Sequence, residues 1–219
     1  MLFAPPDPSL SKTSYLKGLQ CEKQLYLYKH HYDLRDPLTA LEKAKFQGGH
    51  DFEDRYRSEY FPNAFDVEKM GKGKRNAYPT LTRYALEQGY EAVLEATFVF
   101  EGVLVMNDVL VRESDTYQLQ EIKNSSHLKN THIQDAALQY FVTQGALKKD
   151  LHVKIVLPDG STAYQIHDVT PQVQALQEDI KINVAKFRKL LGSGQIPDVP
   201  IGAHCDTPYK CSFWGYCRK

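Results

Sequence analysis

The chain has no excess charge of either sign. Its 27 Lys and Arg balance 27 Asp and Glu over 219 residues. This excludes binding a polyanion through bulk charge, so any such binding must use a local basic patch. No apolar run reaches the roughly 18 residues of a transmembrane helix, which argues against a membrane partner. The opening "MLFAPPDPSLSK" carries early prolines and no basic stretch before its short apolar start, so it does not read as a signal peptide. The expected location is therefore cytoplasmic. There is no internal repeat and no low-complexity segment. Only four cysteines are present, and no two form a C-x2-C pair. In a reducing cytosol such cysteines read as metal ligands rather than disulfides.

What is present reads as one soluble domain over residues 1–219. Tyr15, Leu16, Leu19, Leu25 and Tyr26 recur at helical spacing, predicting a helix over 11–31 capped by Ser11 and broken near Cys21. A second helix is expected over 41–60, with Leu41, Phe46, His50, Phe52 and Tyr56 on one side. Gly48 and Gly49 inside it cost roughly 2 kcal/mol. That cost predicts a break, or a close approach to the backbone at His50. "EKMGKGKRNAYP" reads as a turn-rich basic loop, and 80–88 as a short helix ended by Gly89. Strands over 91–100, 103–113 and 117–124 form a meander. A helix over 130–147 follows, with Ile133, Ala136, Ala137, Tyr140 and Phe141 on its apolar side. Strands over 151–157 and 162–167, a long helix over 170–191 and an irregular tail complete the order. The expected fold is α/β or α+β: a mixed central sheet flanked by helices, with an N-terminal helical segment and a C-terminal cysteine tail.

"NDVLVRESDTYQLQEIKNS" contains the pattern D-x12-E-x-K, carried by Asp108, Glu121 and Lys123. With Ser114-Asp115 as a two-residue hairpin loop, Asp108 lies directly opposite Glu121, their Cβ atoms about 5 Å apart. Lys123, two residues further on, emerges on the same face. Two carboxylates at that separation repel by about 3 kcal/mol at an effective dielectric near 20. Asp108 is also embedded in the apolar run "VLVMNDVLV", where an unpaired aspartate is costly. A shared Mg²⁺ or Mn²⁺ offsets both penalties, with the Ile122 carbonyl as a further ligand. Such an ion polarises a phosphate and acidifies a bound water. Lys123 orients that water or stabilises charge on the phosphate. The plainer alternative is a surface hairpin with cross-strand charges.

Cys205, Cys211 and Cys217 follow a C-x5-C-x5-C pattern in "HCDTPYKCSFWGYC", and Cys21 lies far upstream. Spacers of five with one distant ligand suit a [4Fe–4S] cluster held by four thiolates. Zinc, with its usual short paired spacings, and free or disulfide-bonded thiols are the alternatives. Either metal would tie the N-terminal helix to the tail. Phe213 and Trp214, between two of the cysteines, would shield such a group or, alternatively, stack on bases.

Together these patterns resemble the RecB-like branch of the PD-(D/E)XK nucleases, and more narrowly the CRISPR-associated Fe–S exonucleases and their relatives. The resemblance runs from "LSKTSYLKGLQCEKQLYLYKH" to "HCDTPYKCSFWGYC". It implies a restriction-endonuclease-like fold in a prokaryotic or phage-encoded protein. It also implies Mg²⁺- or Mn²⁺-dependent exonuclease activity on DNA, often single-stranded, with a [4Fe–4S] cluster. The implied setting is CRISPR spacer acquisition or DNA repair, alongside the proteins of those systems. Carried over residue by residue, it makes Asp108 and Glu121 metal ligands and Lys123 the catalytic lysine. His50, in "GGHDFED", becomes a helix-borne metal ligand. Gln139, in "DAALQYF", becomes the glutamine of a Q-x3-Y motif whose tyrosine is here Thr143, with Tyr140 adjacent to the glutamine. Glu95 resembles a glutamate on the preceding strand.

Lys69, Lys72, Lys74 and Arg75, with Tyr78 beside them, form a basic loop that reads either as a solvated surface loop or as a phosphate-tracking one. Ser125, Ser126 and Lys129 are placed to hold a phosphate near the metal. Two other readings share these features: a non-catalytic DNA-binding or partner-docking module, and a zinc-stapled regulatory domain.

Overall fold

A computed structural model describes residues 9–161 and 163–219. The leader reading of the first eight residues, and Thr162 of the strand expected over 162–167, lie outside them. The chain begins with β1 (Leu10–Ser11), α1 (Lys12–Gln20), α2 (Glu22–His30) and α3 (Ala40–Tyr60). Then come β2 (Phe65–Asp66), α4 (Val67–Gly71), α5 (Tyr78–Glu87), β3 (Ala92–Phe100), β4 (Val103–Glu113) and β5 (Thr116–Ile122). Last are α6 (Asn130–Leu147), β6 (Leu151–Pro158), β7 (Tyr164–Asp168), α7 (Thr170–Ala175), α8 (Gln177–Leu191) and α9 (Trp214–Cys217). The chain is thus a mixed α/β protein.

The strands form one seven-stranded mixed sheet in the order β2-β3-β4-β5-β6-β7, with β1 added against β4. The β3–β4–β5 meander is antiparallel, and β6 joins β5 in parallel across the α6 crossover. Val109 faces Gln120 and Leu110 faces Leu119, which is the register the two-residue hairpin predicts. Along one edge β4 changes partner: β5 pairs with Val109–Glu113, whereas β1 pairs with Val103 and Leu104. Asp108 stands in the fork between them, and α1 starts immediately beyond β1.

The larger core lies on one face, where Val105, Leu110, Leu119 and Val153 meet Ala137 and Leu138 of α6, Tyr15 of α1 and Phe187 of α8. On the other face, Phe52 and Tyr56 of α3 pack on Leu94, Val109, Ile122 and Val156. Ser11 caps α1 through a reciprocal bond pair with Ser14, and α1 stops at Cys21, which starts α2. The expected break near Cys21 is therefore present.

Other expectations need correction. The helix over 41–60 is not broken at Gly48-Gly49; it runs through. The close approach is at Gly48, whose carbonyl accepts from Asn124 Nδ2 at 2.8 Å, and not at His50. The side proposed for this helix is half wrong, since Leu41 and Phe46 are 66% and 55% exposed and only Phe52 and Tyr56 are buried. Periodicity shows which residues share a side, not how far the sheet extends beneath them. The basic loop contains α4 and a 3-10 turn at Arg75–Ala77, and Tyr78 is the fully buried first residue of α5. Buried Val67 and Tyr78 anchor it at both ends. The helix over 170–191 is two helices meeting at Leu176, because α7 packs on β6 while α8 packs on α1 and α2. The two-residue strands β1 and β2 are too short to have a period. No helix among the described residues is long and apolar enough to cross a membrane.

Candidate active site and cysteine cavity

Glu121 is 0% exposed on the α6 side of the sheet. Its Oε1 receives Lys12 Nζ at 3.0 Å and also Lys123 Nζ; its Oε2 receives Gln139 Nε2 at 2.5 Å. Lys123 is bound again by Asp135 Oδ2 at 2.7 Å, while Lys12 lies 3.8 Å from Asp135 Oδ1. Asp135 and Gln139 are one helical turn apart on α6, so one side of that helix delivers both. Two ammoniums and two carboxylates thus alternate in a closed ring.

Asp108, buried in the fork, accepts a hydrogen bond from the Ile122 amide at 2.7 Å through Oδ2. On its other side, between the pairs Leu94–Val109 and Ala96–Asn107, stands Glu95 with a left-handed φ of 52°. That conformation is strained for glutamate. Arg57 of α3 holds the bulge, donating to Glu95 Oε1 at 2.6 Å and to the Asp108 carbonyl at 2.9 Å, and it also pairs with Glu53.

The electrostatics divide the carboxyls. Burial pushes Asp108 well above the usual carboxylate range, and the charge on Glu121 pushes it further. Burial acts on Glu121 in the same direction, but Lys12, Lys123 and the hydrogen bonds from Lys123 and Gln139 outweigh it and hold its carboxyl low. Burial also raises Asp135 and Glu53, against the opposing pull of Lys12 and Lys123 on the first and Arg57 on the second. Burial works against the charge on Lys123, yet Asp135 and Glu121 overcome it and hold the ammonium charged.

The structure brings together Asp108, Glu121, Lys123, Ile122 and Gln139 of the residues singled out in the sequence. Ile122 contributes its amide to Asp108, and its side chain is in the α3-side core. His50 is not brought in: it is exposed on α3, one turn ahead of Glu53, with no hydrogen bond to Asp108 or Glu121 among the described residues. The side chain from α3 that senses both carboxylates is Glu53. Thr143 is a fully buried core residue accepting from Asn107 Nδ2 at 2.8 Å. Tyr140 points elsewhere, its hydroxyl accepting from Gln144 and Gln174. Lys72, Lys74 and Arg75 are exposed, and Lys69 pairs with Asp66 at 3.1 Å. Ser125 turns back on the His127 carbonyl, and Lys129 precedes the first residue of α6.

Sequence reasoning missed Lys12, Glu53, Arg57 and Asp135. Asp135 lies opposite the apolar side expected for its helix, and its one signal is that it stands four residues before Gln139, one turn away. Lys12 carries no local signal.

Among the described residues no group of three or more His, Cys, Asp or Glu is arranged to hold a metal ion. The donor chemistry suits one nonetheless. Five carboxyls, Glu53, Glu95, Asp108, Glu121 and Asp135, stand against three cations, Arg57, Lys12 and Lys123. The formal excess is that of one divalent ion's charge. Gln139 Oε1 and Asp135 Oδ1 are buried acceptors left without a hydrogen bond.

Cys21, Cys205, Cys211 and Cys217 line one cavity together with Phe213 and Trp214. All four are free thiols. Cys211 Sγ accepts from the Phe213 amide at 3.4 Å, a donor that favours thiolate. Burial pushes the Cys211 thiol up, the Phe213 amide opposes this, and the other three cysteines add to it. Four thiolates here would repel one another unless a cationic centre lay between them, so the donor set fits a metal or cluster. The tail is tied to the N-terminal helices: Gln20 donates to the His204 and Tyr209 carbonyls at 2.7 and 2.6 Å, and Lys17 to Ser212 Oγ at 3.2 Å. Asp36 accepts from the Gly215 amide at 3.0 Å. Trp214 lies between Lys210 and Arg218, 4.7 and 4.1 Å from its ring centre.

No protein-family model matches the chain, and no curated protein matches it. Among solved structures it is similar to one titled "Crystal structure of SSO0001", with 16% identity over 59% of this chain and 69% of that chain and a TM-score of 0.26. That likeness is too loose to bear on fold or site.

Proposed function

We propose that the chain is a divalent-metal-dependent deoxyribonuclease of the RecB-like PD-(D/E)XK type, with a restriction-endonuclease-like fold, that hydrolyses phosphodiester bonds from free DNA ends. The observation that carries this reading is two buried acidic residues, Asp108 and Glu121, at the place where β4 parts from β5, with Lys123 on Glu121 and a carboxyl excess around them. Asp108 and Glu121 would hold Mg²⁺ or Mn²⁺, with Glu53 of α3 a candidate third carboxylate. Bound there, the ion supplies Lewis acidity to a scissile phosphate and acidifies a water. Lys123, anchored by Asp135, stabilises charge growing on the phosphate. Gln139 orients Glu121. Cys21, Cys205, Cys211 and Cys217 would hold a [4Fe–4S] cluster that fixes the tail to α1 and α2. In this reading the protein works with DNA in CRISPR spacer acquisition or repair, and the exposed Lys72, Lys74 and Arg75 track phosphates.

The test is anaerobic purification followed by Mn²⁺-dependent cleavage of single- and double-stranded DNA labelled at either end. Progressive loss of the end label is the expected result. The exposed His50 and the core role of Thr143 favour a second reading, a DNA-binding module without turnover. That module would shift DNA mobility and release no nucleotide at any Mn²⁺ concentration.

A further inference from the structure

We propose that Lys12 is a built-in counter-ion that a divalent cation must displace from Glu121, so that the first residue of α1 closes the metal-free site. The inference rests on the nuclease reading for the identity of the ion. Glu121 has no exposure to solvent, and three donors already engage its two oxygens. Both lone pairs of Oε1 are taken by the two ammoniums, so a cation that binds Oε1 must displace one of them.

Lys12 and Lys123 are not equivalent. Lys123 lies one residue past the end of β5, the strand that carries Glu121, and has a second anchor at 2.7 Å in Asp135. Lys12 comes from a different element and has a looser second contact, 3.8 Å from Asp135 Oδ1. Its side chain is 25% exposed, about as much as the 26% of Lys123, so the looser second anchor rather than exposure sets Lys12 apart, and its flexible stem can swing outward. Its backbone has no such freedom. Leu10 donates to the Gly102 carbonyl, β1 pairs with β4, and Ser11 caps α1. The fold therefore presents Lys12 to Glu121 and leaves only its side chain able to withdraw. While it stays, it offsets the repulsion among Asp108, Glu121 and Asp135. Once it withdraws, its ammonium stands at the mouth of the site, where an anionic phosphate would arrive.

The test is Mn²⁺ titration by calorimetry without DNA. Lys12→Met keeps the stem and removes the charge. It should bind Mn²⁺ about tenfold more tightly than the natural protein, because one charge-assisted bond no longer has to break. Lys12→Arg, which keeps the charge, should not gain affinity. Equal affinity in the natural protein and Lys12→Met overturns this inference and leaves the nuclease reading standing. Absence of Mn²⁺ binding in both overturns the two together. A second measurement uses only the natural protein: amine-reactive labelling read residue by residue by mass spectrometry. Mn²⁺ should speed labelling of Lys12 several-fold, and an unchanged rate overturns the inference even if Lys12→Met fails to fold.

Discussion

The carboxylate–lysine site and the cysteine cavity are built on opposite principles. At the first, every functional side chain stands on regular structure: β4, β5, α1, α3 and α6 each fix one or more of them. Two ammoniums and an arginine offset most of the carboxyls there, and the region is complete enough to fold around them. At the second, three of the four cysteines lie in or beside short turns of an irregular tail. That tail is held by a few bonds to Gln20, Lys17 and Asp36. On the proposed reading the first region would position an ion, whereas the second would itself be positioned by what it binds. One nine-residue helix, α1, joins them, with Lys12 at its start and Cys21 just past its end. At 1.5 Å per residue they are only about 13 Å apart along the axis.

If the contrast is right, the largest effect of any single change should come from the cavity. Cys211→Ala should release the bound group and the constraint it places on a long loop, worth about 5 kcal/mol in the unfolded chain. The thermal midpoint should fall by about 10 °C or more, with the tail cut first in limited proteolysis and the sheet's circular dichroism retained. A midpoint within a degree of the natural protein would dissolve the contrast.

The next effect sharpens the first region from inside. Lys123→Ala should lower turnover about 10²- to 10³-fold, as removal of a group acting on developing charge does. Asp135→Asn acts only by loosening Lys123, and its loss should be about tenfold. Single-turnover cleavage at saturating Mn²⁺ orders the two. An equal loss would mean that Asp135 touches the reacting atoms.

The smallest effect is on stability without metal. Asp108→Asn keeps an oxygen for the Ile122 amide and removes a carboxyl that burial and Glu121 both oppose ionising. A metal-free melt at neutral pH should show a rise of a few degrees, corresponding to about 1 kcal/mol. A fall would show that Asp108 is held by a cation the account leaves out.

Much of this was legible because it is local. The hairpin loop at Ser114-Asp115 sets the β4–β5 register, but the pairing stops at Val109–Gln120, and in place of the expected Asp108–Glu121 pair the Ile122 amide donates to Asp108. The 130–147 helix was also found, but not its buried side: Asp135, Gln139 and Thr143 are buried while Ile133 and Phe141 are only partly so, because the helix is covered on more than one side. What was hidden depends on distant contacts. Nothing near Lys12 in the sequence signals that a two-residue strand will dock on β4 and aim it at Glu121. Nothing near Glu53 distinguishes it from His50, because both lie on one side of α3 and the depth of the sheet beneath decides which is covered. The Glu95 bulge is likewise invisible in a run of strand-forming residues, since Arg57, far away in sequence, holds it. The split of 170–191 at Leu176 follows from two different packing partners, not from a breaker residue.

The most direct test of the central claim is end-labelled DNA cleavage across a Mn²⁺ titration, comparing the natural protein with Glu121→Gln. The substitution keeps the shape and removes the charge that Lys12 and Lys123 now share. The account predicts Mn²⁺-dependent loss of the label in the natural protein, and no cleavage in Glu121→Gln at any Mn²⁺ concentration although it remains folded. Equal cleavage by both proteins would contradict it.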